Sequence, residues 1–170
     1  MPRSSPTPRR AVGDDRGMDD LLDAFAITRL QAAYGDAVTR QAWEEFVPMF
    51  LPECPIRLDL GGGSVVEKIG PEAIGSMIAS AIERFEFFAF TIQNSVVVVA
   101  PGGVDARGRL YICELRQERD GHRWTTAYGL YRDTYRKVDD TWRFATRDYS
   151  SLARTAATGP GMEVFPVPGA

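Results

Sequence analysis

The chain has 170 residues, of which 44% are hydrophobic and 25% are charged, and a chain of this size and composition can form one globular domain with an ordinary core. Its 20 basic and 23 acidic residues leave a net charge of -3, so its field would attract neither nucleic acid nor an anionic membrane surface. No apolar run approaches the roughly 20 residues that a membrane-spanning helix needs. We therefore expect a soluble domain with no nucleic-acid and no membrane partner.

Residues 1–17 are predicted to form a disordered N-terminal tail. Arg9 and Arg10 are reminiscent of a twin-arginine export signal, but acidic residues occupy the stretch from Ala11 to Asp20 where such a signal would be apolar. Cys54 and Cys113 have no cysteine or histidine partner at metal-binding spacing. Free thiols and a cytoplasmic location are therefore expected.

Three amphipathic helices are indicated by apolar residues that recur at spacings of three and four. The first runs from Met18 to about Gln41, the second is a short segment from Ala42 to Phe50, and the third runs from about Ile74 to Phe85. Gly70-Pro71-Glu72 marks the start of the third helix, because proline suits the first helical position and glutamate suits the positive helix end.

Strand periodicity appears in the remaining segments. Two short strands, Ile56 to Leu60 and Val65 to Ile69, are followed after the third helix by four longer ones. The longer strands are predicted at Phe88 to Ala100, Arg107 to Gln117, Arg123 to Arg136 and Thr141 to Tyr149. Helices followed by a run of strands predict an α+β domain whose helices pack on one face of a curved antiparallel sheet and enclose a pocket.

Several ordered motifs carry a family resemblance. They are Ile27 to Tyr34, Trp43, Gly70 to Ile74, Asn94, Gly129 to Asp133, Trp142-Arg143-Phe144 and Arg147. In this order and spacing, residues 18–153 resemble the SnoaL-like branch of the nuclear transport factor 2-like superfamily. The resemblance implies a cystatin-like cone, in which a curved antiparallel β-sheet wraps round the N-terminal helices. It also implies an activity that varies widely, from dehydratases and isomerases to dehydrochlorinases and proteins without chemistry.

The resemblance implies acid–base chemistry by an aspartate near the end of the first helix and a histidine at the start of the first long strand. The matching positions of this chain hold Thr39 and Phe90, and neither side chain can act as a base. The only histidine, His122, follows Asp120-Gly121 in a predicted hairpin tip, where a surface role is expected.

Two uncharged residues are candidates for catalysis. Tyr34 shares the apolar face of the first helix with Leu30 and Val38, so its hydroxyl is either directed into the pocket or satisfied by a core carbonyl group. Asn94, next to Gln93, lies on the first long strand, where its amide either holds a carbonyl oxygen or water, or serves the strand structure alone.

Two carboxylates are the other catalytic candidates. Glu114 lies two residues from Arg116 on one strand face, and a salt bridge between these residues is the alternative to a catalytic role. Asp59 lies beside Arg57 on the polar face of its strand, where a surface ion pair is favoured over a pocket carboxylate.

A further set of residues is predicted to bind the substrate through apolar or polar contacts. These residues are Thr39, Trp43, Phe46, Phe50, Phe90, Tyr128, Tyr131, Phe144 and Arg147. Arg147 would bind an anionic or carbonyl group at the cavity mouth, with a structural pairing to Asp133 or Asp148 as the alternative.

Large residues occur on both faces of the third long strand. Trp124, Tyr128 and Leu130 share one face, and Tyr131 and Tyr135 share the other. A β-bulge near position 129 would exchange the face that is buried. Because both faces carry large residues, we expect a homodimer that is formed through the convex face of the sheet.

The C-terminal tail, residues 154–170, ends in Phe165-Pro166-Val167-Pro168-Gly169-Ala170, which is similar to the tail of the dehydrochlorinases of the family. This likeness implies a lid over the pocket or an arm across a dimer interface. The segment is too apolar for a fully solvated end.

The leading functional hypothesis is a small-molecule lyase or isomerase that acts on an apolar, oxygen-bearing substrate. No metal and no organic cofactor is implied, because no ligand cluster or cofactor fingerprint occurs. The alternatives are a non-catalytic module for ligand binding or dimerisation that lacks the Asp/His pair, and a scaffolding subunit of a larger enzyme.

Overall fold

The structure is a computed structural model that describes residues 12–169. Its elements are α1 (Val12–Arg40), α2 (Trp43–Phe46), a 3-10 turn (Val47–Met49), β1 (Pro55–Asp59), β2 (Val65–Ile69), α3 (Pro71–Ile82), β3 (Phe85–Val99), β4 (Asp105–Glu118), β5 (Trp124–Val138), β6 (Thr141–Thr155) and β7 (Met162–Val164). Helices followed by long strands confirm the predicted α+β class.

The N-terminal boundary differs from the prediction. The tail was predicted over residues 1–17, whereas α1 already begins at Val12; residues 1–11 lie outside the described residues. No proline occurs between Pro8 and Pro48, so the backbone permits the helix to start before Met18, the predicted first residue. Within residues 12–169, no helix is long and apolar enough to cross a membrane.

The seven strands form one curved, unclosed sheet in the order β2-β1-β6-β5-β4-β3, with β7 paired to β6. The prediction was a purely antiparallel sheet, but the sheet is mixed. Strand β1 runs parallel to β6, while the other pairs are antiparallel. A parallel pair needs a long crossover connection, and here α3 and four strands lie between β1 and β6 in the chain.

The C-terminal tail continues the sheet. Residues 154 and 155 belong to β6, and Met162–Val164 pairs back onto Ala153–Thr155. The ring of Phe165 then packs on Gly61, where an ideal Cβ would lie 2.6 Å from the ring. The predicted role of this tail as a lid or a dimer arm stays a prediction.

Bulges decide which face of each long strand is buried. The pairs Tyr128↔Ala153 and Gly129↔Ser151 leave Leu152 as an extra residue in β6, so β5 itself keeps an unbroken alternation. Its odd-numbered residues from 125 to 135 are all buried on the concave face. A bulge does occur opposite Gly129, but in the partner strand β6, and the face of β5 that carries Tyr131 is the concave one.

One core contact requires glycine. The ring of Tyr149 lies against Gly129, and a Cβ at this position would be 2.0 Å from Tyr149 Cε2. No ordinary contact tolerates this distance, so any side chain at position 129 would displace Tyr149 from the concave face.

We expect Gly129→Ala to lower the free energy of unfolding by about 1–3 kcal/mol or more, because the added methyl group overpacks the core. Gly17→Ala is the matched control: no described atom lies within 4 Å of a Cβ there, and alanine in a helix should stabilise by up to about 1 kcal/mol. Urea unfolding of both variants measures the effect. Equal stabilities of the two variants would contradict the packing argument.

Candidate active site

A cavity of about 690 Å³ lies between α1, α3 and the concave face of the sheet. This volume is within the range that small-molecule sites occupy. Its wall residues include Tyr34, Val38, Leu58, Met77, Ile78, Phe85, Phe88, Phe90, Glu114, Arg116, Thr125, Tyr149 and Ser151.

The strand register arranges this wall in layers. Phe90 is paired with Glu114, and Phe88 is paired with Arg116, one layer nearer the end of β4. Tyr149 lies farther from the mouth of the cavity than Glu114, because Tyr149 is paired with Tyr131 in the middle of β5. The cavity thus has an aromatic floor, a carboxylate in its wall and an arginine nearer the mouth.

Glu114 is the carboxylate in the wall of the cavity. Its side chain is 22% exposed, and its Oε2 lies 3.5 Å from Nη1 of Arg116. Burial raises the pKa of Glu114, while the positive charge of Arg116 opposes this rise. A carboxyl group whose pKa is raised in a cavity can accept and return a proton near neutral pH.

Phenolic hydroxyl groups occupy the floor beside this carboxylate. Burial raises the pKa of Tyr34, and Arg147 opposes the rise. Burial also raises the pKa of Tyr149. Both phenols are therefore protonated at neutral pH and can donate a hydrogen bond to a substrate oxygen.

Below the floor lies a buried ion pair. Arg147 Nε donates to Asp133 Oδ1 at 3.1 Å, and the two side chains are 2% and 0% exposed. The guanidinium carbon lies 4.0 Å from the ring centroid of Tyr34, 3.9 Å from that of Tyr131 and 4.4 Å from that of Phe144. Three aromatic faces thus stabilise the buried positive charge.

Hydrogen bonds connect this ion pair to α1 and β3. Tyr135 donates to Asp133 Oδ2 at 3.2 Å, Gln31 Nε2 donates to the Tyr135 hydroxyl at 2.8 Å, and Ser95 donates to Gln31 Oε1 at 2.6 Å. Burial raises the pKa of Asp133 to about 6, against the attraction of Arg147. Asp133 is therefore held directly by Tyr135 and Arg147, and through Tyr135 and Gln31 it is linked to α1 and β3; it does not line the cavity.

Three of the predicted site residues, Tyr34, Phe90 and Glu114, line the cavity. Five others lie in the core around Tyr34 instead of on the wall. They are Phe46, Phe50, Tyr131, Phe144 and Arg147. Arg147 was predicted at the mouth of the cavity, but it lies in the core. There it forms the ion pair with Asp133 that was the alternative prediction.

Thr39 and Asn94 lie away from the cavity. Thr39 is exposed, and its Oγ1 accepts a hydrogen bond from the backbone N–H of Phe90 at 3.0 Å. Asn94 is exposed because Gln93 forms a bulge in β3, which turns Asn94 to the convex face opposite Tyr111. A bulge reverses the alternation that placed Asn94 in the pocket.

Asp59, Trp43 and Tyr128 are also outside the cavity. Asp59 forms a 3.5 Å ion pair with Arg57 on the outer face, as the surface interpretation predicts. Trp43 packs on Phe46 beside a shallow groove next to α3, and Tyr128 lies on the convex face of β5. These residues cannot contact a molecule in the main cavity without rearrangement.

The sequence analysis missed Thr125, Tyr149 and Ser151, and it gave Arg116 only a structural role. Alternation along a strand is a signal for burial, but in β6 the bulge at Ala145 moves the buried face from even-numbered residues to odd-numbered ones, which include Tyr149 and Ser151. Among residues 12–169, no group of three or more histidine, cysteine or acidic side chains is placed to hold a metal.

Comparisons with known proteins identify the family and the fold. The profile of the SnoaL-like domain matches residues 19–148. A putative scytalone dehydratase from Novosphingobium aromaticivorans is similar in structure, with a TM-score of 0.74 and 19% identity over 91% of this chain and 99% of that chain. No curated protein sequence matches the chain.

Two further structures show the same fold. A hexachlorocyclohexane dehydrochlorinase from Novosphingobium barchaimii has a TM-score of 0.70 and 16% identity, over 89% of this chain and 99% of that chain. A nuclear transport factor 2-like protein with a cystatin-like fold from Novosphingobium aromaticivorans has a TM-score of 0.65 and 19% identity, over 84% of this chain and 90% of that chain.

We expect Arg147→Met to lower the free energy of unfolding by about 3–5 kcal/mol, because it leaves the buried Asp133 without its partner. The carboxyl pKa of Asp133 should rise further, so protonation relieves the cost. A group whose folded-state pKa is raised contributes most stability at low pH, and the loss should be smaller at about pH 5 than at about pH 8.

Arg57→Met is the control for this prediction, because Arg57 forms ion pairs only at 3.5 Å on the outer face with its side chain 39% exposed. Its loss should cost less than about 1 kcal/mol. Chemical denaturation at both pH values measures the difference. A pH-independent loss in Arg147→Met would contradict the buried-charge explanation.

Proposed function

The chain belongs to the SnoaL-like domain family, and we propose that it is a cofactor-independent lyase or isomerase acting on a small apolar molecule that carries oxygen. The observation that supports this proposal is the position of Glu114, a carboxyl group with a raised pKa in the wall of an aromatic cavity. A group of this kind is suited to proton transfer on a bound substrate.

Glu114 takes the place of the absent Asp/His pair. The positions of that pair hold Thr39 and Phe90, and the backbone N–H of Phe90 donates a hydrogen bond to Thr39 Oγ1. Glu114 is the cross-strand neighbour of Phe90 on β4, so the carboxylate lies one strand away from the position where the family resemblance implies a base.

The proposed step begins when Glu114 removes a proton from the carbon next to a substrate carbonyl. The C–H electron pair forms an enolate, and the hydroxyl groups of Tyr34 and Tyr149 stabilise its oxygen. Protonated Glu114 then returns the proton. Return to another carbon completes an isomerisation, whereas return to a departing hydroxyl group releases water and leaves a C=C bond.

Eliminations also appear in the names of two similar structures, a scytalone dehydratase and a hexachlorocyclohexane dehydrochlorinase. Loss of water and loss of hydrogen chloride both begin with removal of a proton from carbon. Scytalone and hexachlorocyclohexane are therefore suitable first compounds to test with this protein, in addition to simple ketones.

We expect the protein to catalyse exchange of the α-protons of 2-tetralone in D₂O, followed by NMR. Glu114→Gln should lower this rate by about 10²-fold or more, because the amide cannot accept the proton. Glu67→Gln, an exposed residue of β2, is the matched control and should exchange at the wild-type rate. Exchange at the buffer rate with wild-type protein, or full activity in Glu114→Gln, would contradict the proposal.

A scaffolding role is the second candidate, and one observation favours it. Four apolar residues of α1 form a stripe at spacings of three and four, yet each is 58–67% exposed. They are Met18, Leu21, Leu22 and Phe25. Such a stripe is typical of a helix face that a partner covers.

We also propose that the protein forms a homodimer through the convex face of the sheet. Val96, Val98, Leu115 and Trp124 are between 38% and 52% exposed on this face, and exposed apolar residues on a sheet favour association. Leu115→Glu should convert the dimer to a monomer in light scattering after gel filtration. Leu21→Glu, in the stripe on α1, is the control and should leave the dimer intact; dissociation by Leu21→Glu alone would move the interface to α1.

A further inference from the structure

Two polar atoms in the cavity wall have no partner in the described structure. They are Arg116 Nε and Thr125 Oγ1, both buried and both without a hydrogen bond. Arg116 and Thr125 are cross-strand partners on the concave face, so the two atoms belong to one small area of the wall. Buried polar groups are normally satisfied, and two adjacent unsatisfied groups indicate a place where a ligand supplies the acceptor.

The charges around this area are unbalanced. Among the described residues, Glu114 is the only one whose carboxylate lies within 4.0 Å of Arg116. The distance is 3.5 Å, which is longer than the 2.7–2.9 Å typical of a charge-assisted hydrogen bond. Arg84 has no carboxylate within 4.0 Å among the described residues. Its guanidinium carbon lies 4.7 Å from the ring centroid of Phe85, and that of Arg116 lies 5.3 Å from the same ring.

Two other arginines of the cavity wall are already neutralised. Arg123 pairs with Glu118 at 3.3 Å, and Arg154 pairs with Glu163 at 2.8 Å. Arg116 has only the carboxylate of Glu114 within 4.0 Å, and Arg84 has none, among the described residues. This part of the wall therefore carries an excess positive charge, and repulsion from Arg84 contributes to lowering the pKa of Arg116, after the larger effect of burial.

We propose that Arg116, Thr125 and Arg84 form a subsite for a carboxylate group of the substrate. This inference rests on the proposed function, since it specifies the charged group of the molecule on which Glu114 acts. A carboxylate accepts hydrogen bonds from the planar fork of an arginine and from a threonine hydroxyl group, and it compensates the excess charge.

The register also specifies the length of the substrate. Arg116 follows Glu114 by two residues on one strand face, and Arg116 Nη1 lies 3.5 Å from Glu114 Oε2, so a molecule of one or two rings can contact both side chains. The rings of Phe88 and Phe90 lie beside these two layers on β3. A cyclic acid therefore fits best, with its carboxylate at Arg116 and its acidic C–H one layer deeper, at Glu114.

Binding at this subsite would also affect the base. The charge of Arg116 lowers the pKa of Glu114, and a substrate carboxylate that engages Arg116 would reduce this effect. The carboxyl group of Glu114 thus becomes a stronger base when the acid is bound than in the empty cavity.

The test compares 2-naphthoate with 2-naphthamide, which have the same ring system and differ in charge, by isothermal titration calorimetry. We expect naphthoate to bind at least about tenfold more tightly than naphthamide. Arg116→Gln and Thr125→Val should each weaken naphthoate binding, by about tenfold and about threefold, and change naphthamide binding by less than about twofold.

Arg123→Gln is the matched control, because it removes an arginine of the same cavity wall that Glu118 already neutralises. Its naphthoate affinity should stay within about twofold of the wild type. If Arg116→Gln fails to fold, the same comparison is made with Thr125→Val and with Arg84→Gln, a substitution of an exposed residue. Equal affinities for the two ligands, or equal losses in Arg116→Gln and Arg123→Gln, would overturn the subsite.

Glu114→Gln separates this inference from the proposed function. The substitution frees Arg116 from its carboxylate, so naphthoate should bind at least as tightly as to the wild type while α-proton exchange is lost. Weaker naphthoate binding in Glu114→Gln would contradict the subsite. Strong naphthoate binding with proton exchange retained would contradict the proposed function and leave the subsite intact.

Discussion

The buried ion pair between Arg147 and Asp133 is the interaction on which the interior of this protein depends. Both charges are removed from water, a costly arrangement unless hydrogen bonds and aromatic faces compensate it. The compensation comes from Tyr135 through a hydrogen bond and from the ring of Tyr34 on α1. Because these contacts join α1, β5 and β6, the pair determines how the helix is placed against the sheet.

The position of the helix in turn shapes the cavity. With Arg147 held beneath it, the ring of Tyr34 forms the floor, and Phe46 and Phe50 fill the space behind it. The charged groups Glu114 and Arg116 lie in the wall and nearer the mouth, where they follow each other on β4. A charged group in such a place interacts strongly with a ligand, since little water is present to screen it.

Thr39 and Phe90 stand at the two positions where the family resemblance implies an Asp/His pair. They are in contact through a hydrogen bond from the backbone N–H of Phe90 to Thr39 Oγ1, which joins α1 to β3. This contact between Thr39 and Phe90 holds α1 against β3, while the carboxylate of the cavity comes from Glu114 on the neighbouring strand β4. Sequence analysis named all three residues, yet it could not rank Glu114 above Asn94, since both lie on strands with polar and apolar residues on each face.

The sequence by itself determined the types and order of the helices and of the first six strands, because the helical and strand periodicities and the Gly70-Pro71 boundary are local properties; β7 lies in the segment predicted as a tail. It also identified Tyr34, Phe90 and Glu114 as candidates. Only the tertiary structure decided which strand faces line the cavity. A single extra residue, Gln93 in β3 or Leu152 in β6, reverses the face of every residue beyond it, and the position of a bulge depends on pairing with a distant strand.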